Sequence, residues 1–405
     1  MLGLKHEVVI AGHICLDIIP EIADRRVEAS TWLEPGRLNN VGPAIIATGG
    51  AVTNTGIALN KLGVRVKLLG KIGDDLFGKA ILDKCQSYDG NLTDHMIISK
   101  GEVSSYTIVI SSKKSDRIFL HCPGTNDTFS IQDLPFHKLK NITLFHFGYP
   151  PLMRNMYMNN GEMLSQIFQR VKSEGIMTSL DMAMPDKESE SGKVNWRNVL
   201  KKTLPYVDFF LPSIEEILYM LRQDTFNKLQ EKYGSSKMVS YIDSKLLSSV
   251  AEELIQMGAK TVVLKLGEQG LYMRTTQEKV INKLQFFPKD VCMKWSNREL
   301  IMPSYKVNVQ GTTGAGDCTI AGYITCLLQK LSPEETLRGA VAVGGYNVEK
   351  ADATSGIVSW KETTARIKRG WDHQSVKLPL SNWQFNKETN IWIGPNDQMY
   401  NNEEK

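Results

Sequence analysis

From the start of the chain to about residue 275, short β-branched runs alternate with longer amphipathic stretches. That alternation is the signature of βα units, in which each helix carries the chain back so that the next strand joins the sheet in parallel. Strands are predicted at Val8–Ala11, Arg65–Leu69, Thr143–Phe147, Ile176–Leu180, Asp208–Leu211 and Thr261–Leu266. Among the helices between them are Ala51–Leu62, which Gly63 can close in the left-handed conformation, and Glu162–Ser173, which ends near Gly175.

Two regions break the rhythm. The runs Ser105–Ile110 and Arg117–Cys122 flank the polar turn Lys113–Asp116, which predicts an antiparallel hairpin standing off the main sheet. Together with strand-like pieces after Asp17 it makes a small lid. Gln277 to Val309 reads as a long hairpin-like excursion carrying Trp295, to which the sequence assigns no role. From Trp360 onward the chain holds four of its seven tryptophans among many charges, the composition of an extension docked on the body or on a second subunit.

A chain of 405 residues that is 42% hydrophobic and 23% charged can bury a large core, which excludes disorder. Forty-eight Lys and Arg against 44 Asp and Glu leave +4, too weak and too mixed to argue for nucleic acid or a membrane surface. No uncharged apolar run approaches the ~20 residues of a membrane helix. The six cysteines lie far apart with no C-x-x-C pair, which fits a reducing, cytoplasmic setting.

The strongest local signal is Gly311-Thr312-Thr313-Gly314-Ala315-Gly316-Asp317, after the β-rich run Lys306–Val309 and before a helix with no charge between Asp317 and Lys330. Without Cβ atoms at Gly314 and Gly316, backbone approaches a phosphate closely, and the first-turn amides and helix dipole point at it. Asp317 at that end would accept a proton from an attacking hydroxyl. A lone Gly-x-Gly-Asp is equally a plain turn with a charge that complements the dipole. Its company argues against that. Gly49-Gly50 precedes a helix holding Asn54, and Asp17 lies just past the first strand. In an open α/β sheet such strand ends and helix starts converge on one crevice, where Asp17 and Asn54 would bond the hydroxyls of a polyol. Val262 to Gly270 is a buried strand running into a Gly-x-x-Gly turn.

With these motifs in this order from about residue 5 to 360, the sequence resembles the ribokinase-like, PfkB-type carbohydrate kinases. The resemblance implies an α/β fold, a three-layer αβα sandwich of the ribokinase-like kind with a small β-sheet lid. The kinase domain would span 1–360, with the lid from about 13–48 and 101–123, and 361–405 would be a C-terminal extension. It implies transfer of the γ-phosphoryl of ATP, with Mg²⁺, to a hydroxyl of a sugar or sugar-like alcohol. Asp317 falls on the catalytic base, and Gly314, Ala315 and Gly316 on the anion hole. Asp17, Gly49, Gly50 and Asn54 fall on the substrate set, and Arg117 on the lid hairpin where it would reach substrate. Lys265, Gly267, Gly270, Thr312, Thr313 and Asn347 fall on the nucleotide side, and Glu216 of Ser213-Ile214-Glu215-Glu216 on the residue that orients Mg²⁺ through water. A homodimer through the lid is common in such kinases.

Departures from the pattern carry information. Ser213 replaces an expected Asn near the metal. Gly311 replaces an Asp that helps bind potassium in activated relatives, which puts K⁺ dependence in question. Ala51 and Gly148 stand where ribokinases place a Lys and an acid against ribose, which argues against strict ribokinase activity. A nucleoside kinase using Phe147 or Tyr149 to stack on a base, and a non-catalytic nucleotide- or sugar-binding relative, are the competing readings. His13, His121 and His146 read as satisfied histidines of the core or its rim.

Overall fold

Alternate residues of the first strand, Glu7–Gly12 (β1), go to opposite sides: Val8 and Ile10 join one apolar core, Val9 and Ala11 the other. A strand buried on both faces needs a helix layer on each, and the computed structural model has them. It describes residues 6–398 except 23–34, 37, 113–114, 236 and 285, and it also omits the side chains of 111–112, 115–117 and 283.

The strands are Cys15–Pro20 (β2), Ala44–Gly49 (β3), Arg65–Leu69 (β4), Lys71–Gly73 (β5), Ile97–Ser99 (β6), Tyr106–Ser112 (β7), Ser115–Cys122 (β8), Ile142–Gly148 (β9), Met177–Leu180 (β10), Phe209–Phe210 (β11), Thr261–Lys265 (β12), Leu271–Thr275 (β13), Glu299–Met302 (β14), Gln384–Asn386 (β15) and Ile391–Ile393 (β16). The main sheet runs β15-β16-β14-β13-β12-β11-β10-β9-β1-β4. From β4 through β12 every neighbour is parallel; β12 to β15 are antiparallel. Together with the two helix layers this is the three-layer α/β sandwich the sequence predicts. Among the described residues no helix is long and apolar enough to cross a membrane.

A second sheet, β3-β2-β7-β8, stands apart, and β7 pairs antiparallel with β8 as the predicted hairpin. Residues 23–34 of the expected lid and the centre of its turn, 113–114, lie outside the described residues.

The structure corrects two expectations. Gln277 to Val309 is no hairpin: it holds short helices at Glu278–Ile281 and Lys289–Trp295, then β14 in the main sheet. Trp295 is fully buried there, stacked on Phe287 and edge-on to Phe209 and Tyr323. Lys306–Val309 forms no strand; Lys306 N donates instead to Asp372 O of the C-terminal segment (2.8 Å). That segment also supplies β15 and β16, with β16 paired to β14.

Candidate active site

At β1 the strand order reverses, with β4 on one side and β9 on the other. Such a reversal opens a crevice at the carboxyl ends of the strands. His13 follows β1, Tyr149 follows β9, Asp181 follows β10, Ser213 to Glu216 follow β11, and Lys265 ends β12. Each is carried to the same edge by a buried strand.

The opposite wall is the helix Ala315–Leu328, which is buried along nearly its whole length between helices Ala51–Lys61 and Pro333–Val348. Gly314 caps it at φ 71°, where a side chain would be strained and would press on Ala353. The first-turn amides, Ala315 to Asp317, have no acceptor inside the helix, though Ala315 N donates to Thr312 O at 3.3 Å. Asp317 sits buried in that turn. Asn54 Nδ2 donates to its Oδ2 at 2.9 Å and Tyr149 Oη donates to the same oxygen at 2.8 Å. Burial raises the Asp317 carboxyl above its ordinary value, while those hydrogen bonds and the Lys265 ammonium pull it back. The net direction is upward, so Asp317 is a stronger base than a solvated aspartate.

Lys265 Nζ pairs with Asp181 Oδ1 at 2.5 Å, and a Cβ on Gly316 would lie 3.6 Å from that ammonium. Burial lowers the Lys265 value, but Asp181, Glu216 and Asp317 outweigh it and keep the ammonium charged. A fixed positive charge thus stands beside the amide-bearing turn. Both face a cavity of about 630 Å³, within the ~300–1,000 Å³ usual for small-molecule sites. Its polar part includes Asp181, Glu216, Lys265, Thr312 and Gly316; its apolar part includes Val307, Val309, Val341 and Val348. Gly267 and Gly270 of the turn after β12 also line it.

Glu216 Oε2 accepts from Ser213 N at 2.8 Å in a capping box, so Ser213 serves as helix cap. Burial pushes the neighbouring Glu215 up to about 7. Among the described residues no group of three or more His, Cys, Asp or Glu is arranged to hold a metal. Asp181 and Glu216 are hard oxygen donors that suit Mg²⁺ carried chiefly by phosphates and water.

On the other side of Asp317, Asp17 lies on β2 against Gly49, and burial raises its carboxyl. Gly50 caps the helix Ala51–Lys61 at φ 90°, and a Cβ there would press on His13. Burial drives His13 down to about 3, so it is neutral; its Nε2 lies 3.4 Å from His121 Nε2 of the lid, and among the described residues its Nδ1 has no partner. The expectation of a satisfied histidine fails for His13 and in part for His146, whose Nδ1 lies 3.0 Å from Ser179 Oγ while its buried Nε2 has no partner among the described residues.

Other corrections follow from side-chain direction. Asn54 donates from Nδ2 to Asp317, a contact the sequence did not foresee. Asn347 is buried with Nδ2 on Ala353 O (2.7 Å) and does not line the cavity; Gly344, Gly345 and Val348 of its helix do. Thr312 lines the cavity and Thr313 does not. Phe147 is buried in the core and cannot stack on a ligand. Arg117 lies on β8, but its side chain is outside the described residues. Asp181 is a site member that sequence reasoning missed, although a polar residue just past an apolar strand was a visible signal; Tyr149 was considered only as a stacking ring, and its hydroxyl bond to Asp317 was not foreseen. Ala51 and Gly148 prove to be one departure: a Cβ on Gly148 would overlap the Ala51 methyl.

Comparison with known proteins places this geometry. Residues 5–360 match the pfkB family carbohydrate kinase description. The chain is 25% identical over 301 residues to an uncharacterized sugar kinase of Archaeoglobus fulgidus, covering 74% of this chain and 98% of that one. Among solved structures it is similar to a fructokinase with bound ATP from Xylella fastidiosa, at TM-score 0.67 and 18% identity over 90% of this chain and 99% of that one. An E. coli structure in complex with ATP and Mg²⁺ matches at TM-score 0.64 and 20% identity, over 90% of this chain and all (100%) of that one. The chain is a carbohydrate kinase and belongs to the pfkB family.

Proposed function

We propose that the protein transfers the γ-phosphoryl of ATP to a hydroxyl of a sugar or sugar-like alcohol, with Asp317 as the base. The acceptor oxygen attacks phosphorus and loses its proton to Asp317, while the bond to the β-phosphate oxygen breaks and ADP leaves. The first-turn amides after Gly314 and the Lys265 ammonium hold charge on the phosphoryl oxygens as it moves, where fixed dipoles need no reorganisation. Asp17, with Gly49 and Gly50 giving close approach, holds the acceptor. Asp181 and Glu216 would hold, through water, a Mg²⁺ carried on the phosphates of ATP, and the ion would supply further neutralisation of phosphate charge.

The observation that carries this reading is the buried Asp317 carboxylate, tied to Asn54 and Tyr149, at a helix start that also faces the Lys265 ammonium. The test is Asp317→Asn, assayed for ADP release over a panel of acceptors with and without Mg²⁺. Turnover should fall by about 10²–10⁴-fold while ATP affinity is kept. Near-normal turnover in that variant removes Asp317 from the mechanism. ATP binding without release on any acceptor, in the unaltered protein, favours the non-catalytic reading.

A nucleoside acceptor stacked on Phe147 is disfavoured by the burial of that ring, which leaves Tyr149, at the cavity wall, as the aromatic such a reading would use. The contact of Ala51 with the Gly148 position supports an acceptor other than ribose. We place the kinase unit at 1–360 with 361–405 completing its edge, in the cytoplasm, where the six free cysteines stay reduced. We also propose a homodimer formed through the lid, and activity that does not depend on potassium, since a Cβ on Gly311 would already press on Ala351.

A further inference from the structure

The cavity beside Lys265 is closed partly by chain that lies beyond the family match. Residues 371–377 fold back along 303–306 as a short ribbon: Gln374 N donates to Ser304 O (2.7 Å), Lys306 N to Asp372 O (2.8 Å) and Trp371 Nε1 to Lys306 O (2.9 Å). Tyr305 stacks on Trp371 with centroids 4.4 Å apart and on His373 at 4.1 Å. One ring face holds one stacked partner, so the two occupy opposite faces of Tyr305 and clamp it. Arg366, forked onto Glu349, lies 3.5 Å over the Trp371 ring, and Lys377 N is tied to Gln269 Oε1 at 2.7 Å. The segment is therefore fixed at both ends.

What this ribbon presents to the cavity is Ser304, Tyr305, Val307 and Gln374. The Ser304 hydroxyl is spent on Glu268 O (2.5 Å). Gln374 is the one side-chain amide lining the cavity, and among the described residues that amide takes no hydrogen bond. With the phosphates at Gly316 and Lys265, an assignment that rests on the reading above, the apolar part formed by Val307, Val309, Val341 and Val348 is left for a flat base. An amide offers a donor and an acceptor side by side, the complement of a purine edge.

We propose that the 371–377 segment is a wall of the nucleotide site and that the Gln374 amide binds the edge of the purine base, making Gln374 a residue that selects the nucleotide. The test uses the full chain and Gln374→Leu, titrated calorimetrically with ATP and with UTP in the absence of any acceptor. Gln374 is exposed at the cavity mouth, and equal melting temperatures would show that the variant folds. ATP affinity should fall about 3- to 10-fold, the loss of one neutral hydrogen bond, with UTP affinity unchanged, so that the purine preference narrows. ATP affinity within twofold and an unchanged ATP-to-UTP ratio overturn the proposal. Because binding is read without turnover, that failure leaves the phosphotransfer reading standing, and an enzyme silent on every acceptor still decides the role of Gln374.

Discussion

A carboxylate buried as deeply as Asp317 is governed by opposed influences: desolvation favours its neutral form, and the donors Asn54 and Tyr149 favour the ion. Tyr149→Phe removes one donor without leaving a buried group newly unpaired, since Asn54 still bonds Oδ2. A hydrogen bond to the ion lowers a carboxyl value, so its loss raises that of Asp317 further. The acid limb of the kcat/KM profile should then move to higher pH, with activity down about 2- to 10-fold on that limb and recovered as pH rises beyond it. A uniform loss at every pH would show that Tyr149 acts otherwise. The raised value also bears on stability. The native state binds that proton more tightly than the unfolded chain, so its contribution is fully present below the unfolded carboxyl value and is lost as pH rises through the folded one. Asp317→Asn escapes that loss. Its melting temperature should exceed that of the unaltered protein at pH 7, and the gap should shrink as pH falls toward 4; a lower melting temperature at pH 7 contradicts this. Asp317 was legible because its glycines stand next to it in sequence. The role of Tyr149 as its hydrogen-bond donor was not: the two lie 168 residues apart, and the Tyr149 φ of 66°, rare for a bulky residue, is set by the strand end rather than by composition.

At the level of elements, the two glycines that frame the phosphate turn do different things. Gly316 has room: a Cβ there would meet the Lys265 side chain at 3.5 Å, an ordinary contact. Gly316→Ala should therefore keep or raise stability, by up to about 1 kcal/mol from helix propensity, while crowding the phosphate approach and weakening ATP binding. Gly314→Ala should instead lose about 1–3 kcal/mol, because its φ of 71° and the nearby Ala353 leave no relaxed position. Chemical denaturation alongside ATP titration separates the two, and equal stability losses in both would refute the distinction. Parallel strands and the uncharged helix were readable because period and apolar content are local properties. The Gln277–Val309 excursion was misread because β14 is stabilised by β13 on one side and by β16, from the far end of the chain, on the other. The same distance hid the pairing of 303–306 with 371–377. An extended segment whose partner comes seventy residues later carries no sequence signal of its own.

For the whole molecule, the lid sheet has two unlike faces. Alternation along its strands puts Leu16, Ile18 and Ile46 on one face, toward the helix Leu76–Gln86, and Asp17, Ile19, Ile45, Thr107, Phe119 and His121 on the other. On that second face Ile45 is 64% and Phe119 59% exposed, beside the carboxylate that we assign to the acceptor. Among the described residues the sheet ends at β3 and β8. Sheet edges and an apolar face together favour association, and a second lid of the same chain offers matching surface for both. The protein should therefore sediment as a dimer at micromolar concentration. Ile45→Lys with Phe119→Lys should give a monomer whose KM for the acceptor is raised, since Asp17 lies on the same face, while its affinity for ATP, bound beyond Asp317, is unchanged. A wild-type chain that sediments as a monomer up to tens of micromolar rules out the lid interface. A doubly substituted chain that still dimerises places the interface elsewhere, leaving the exposed Ile45 and Phe119 to contact the acceptor itself.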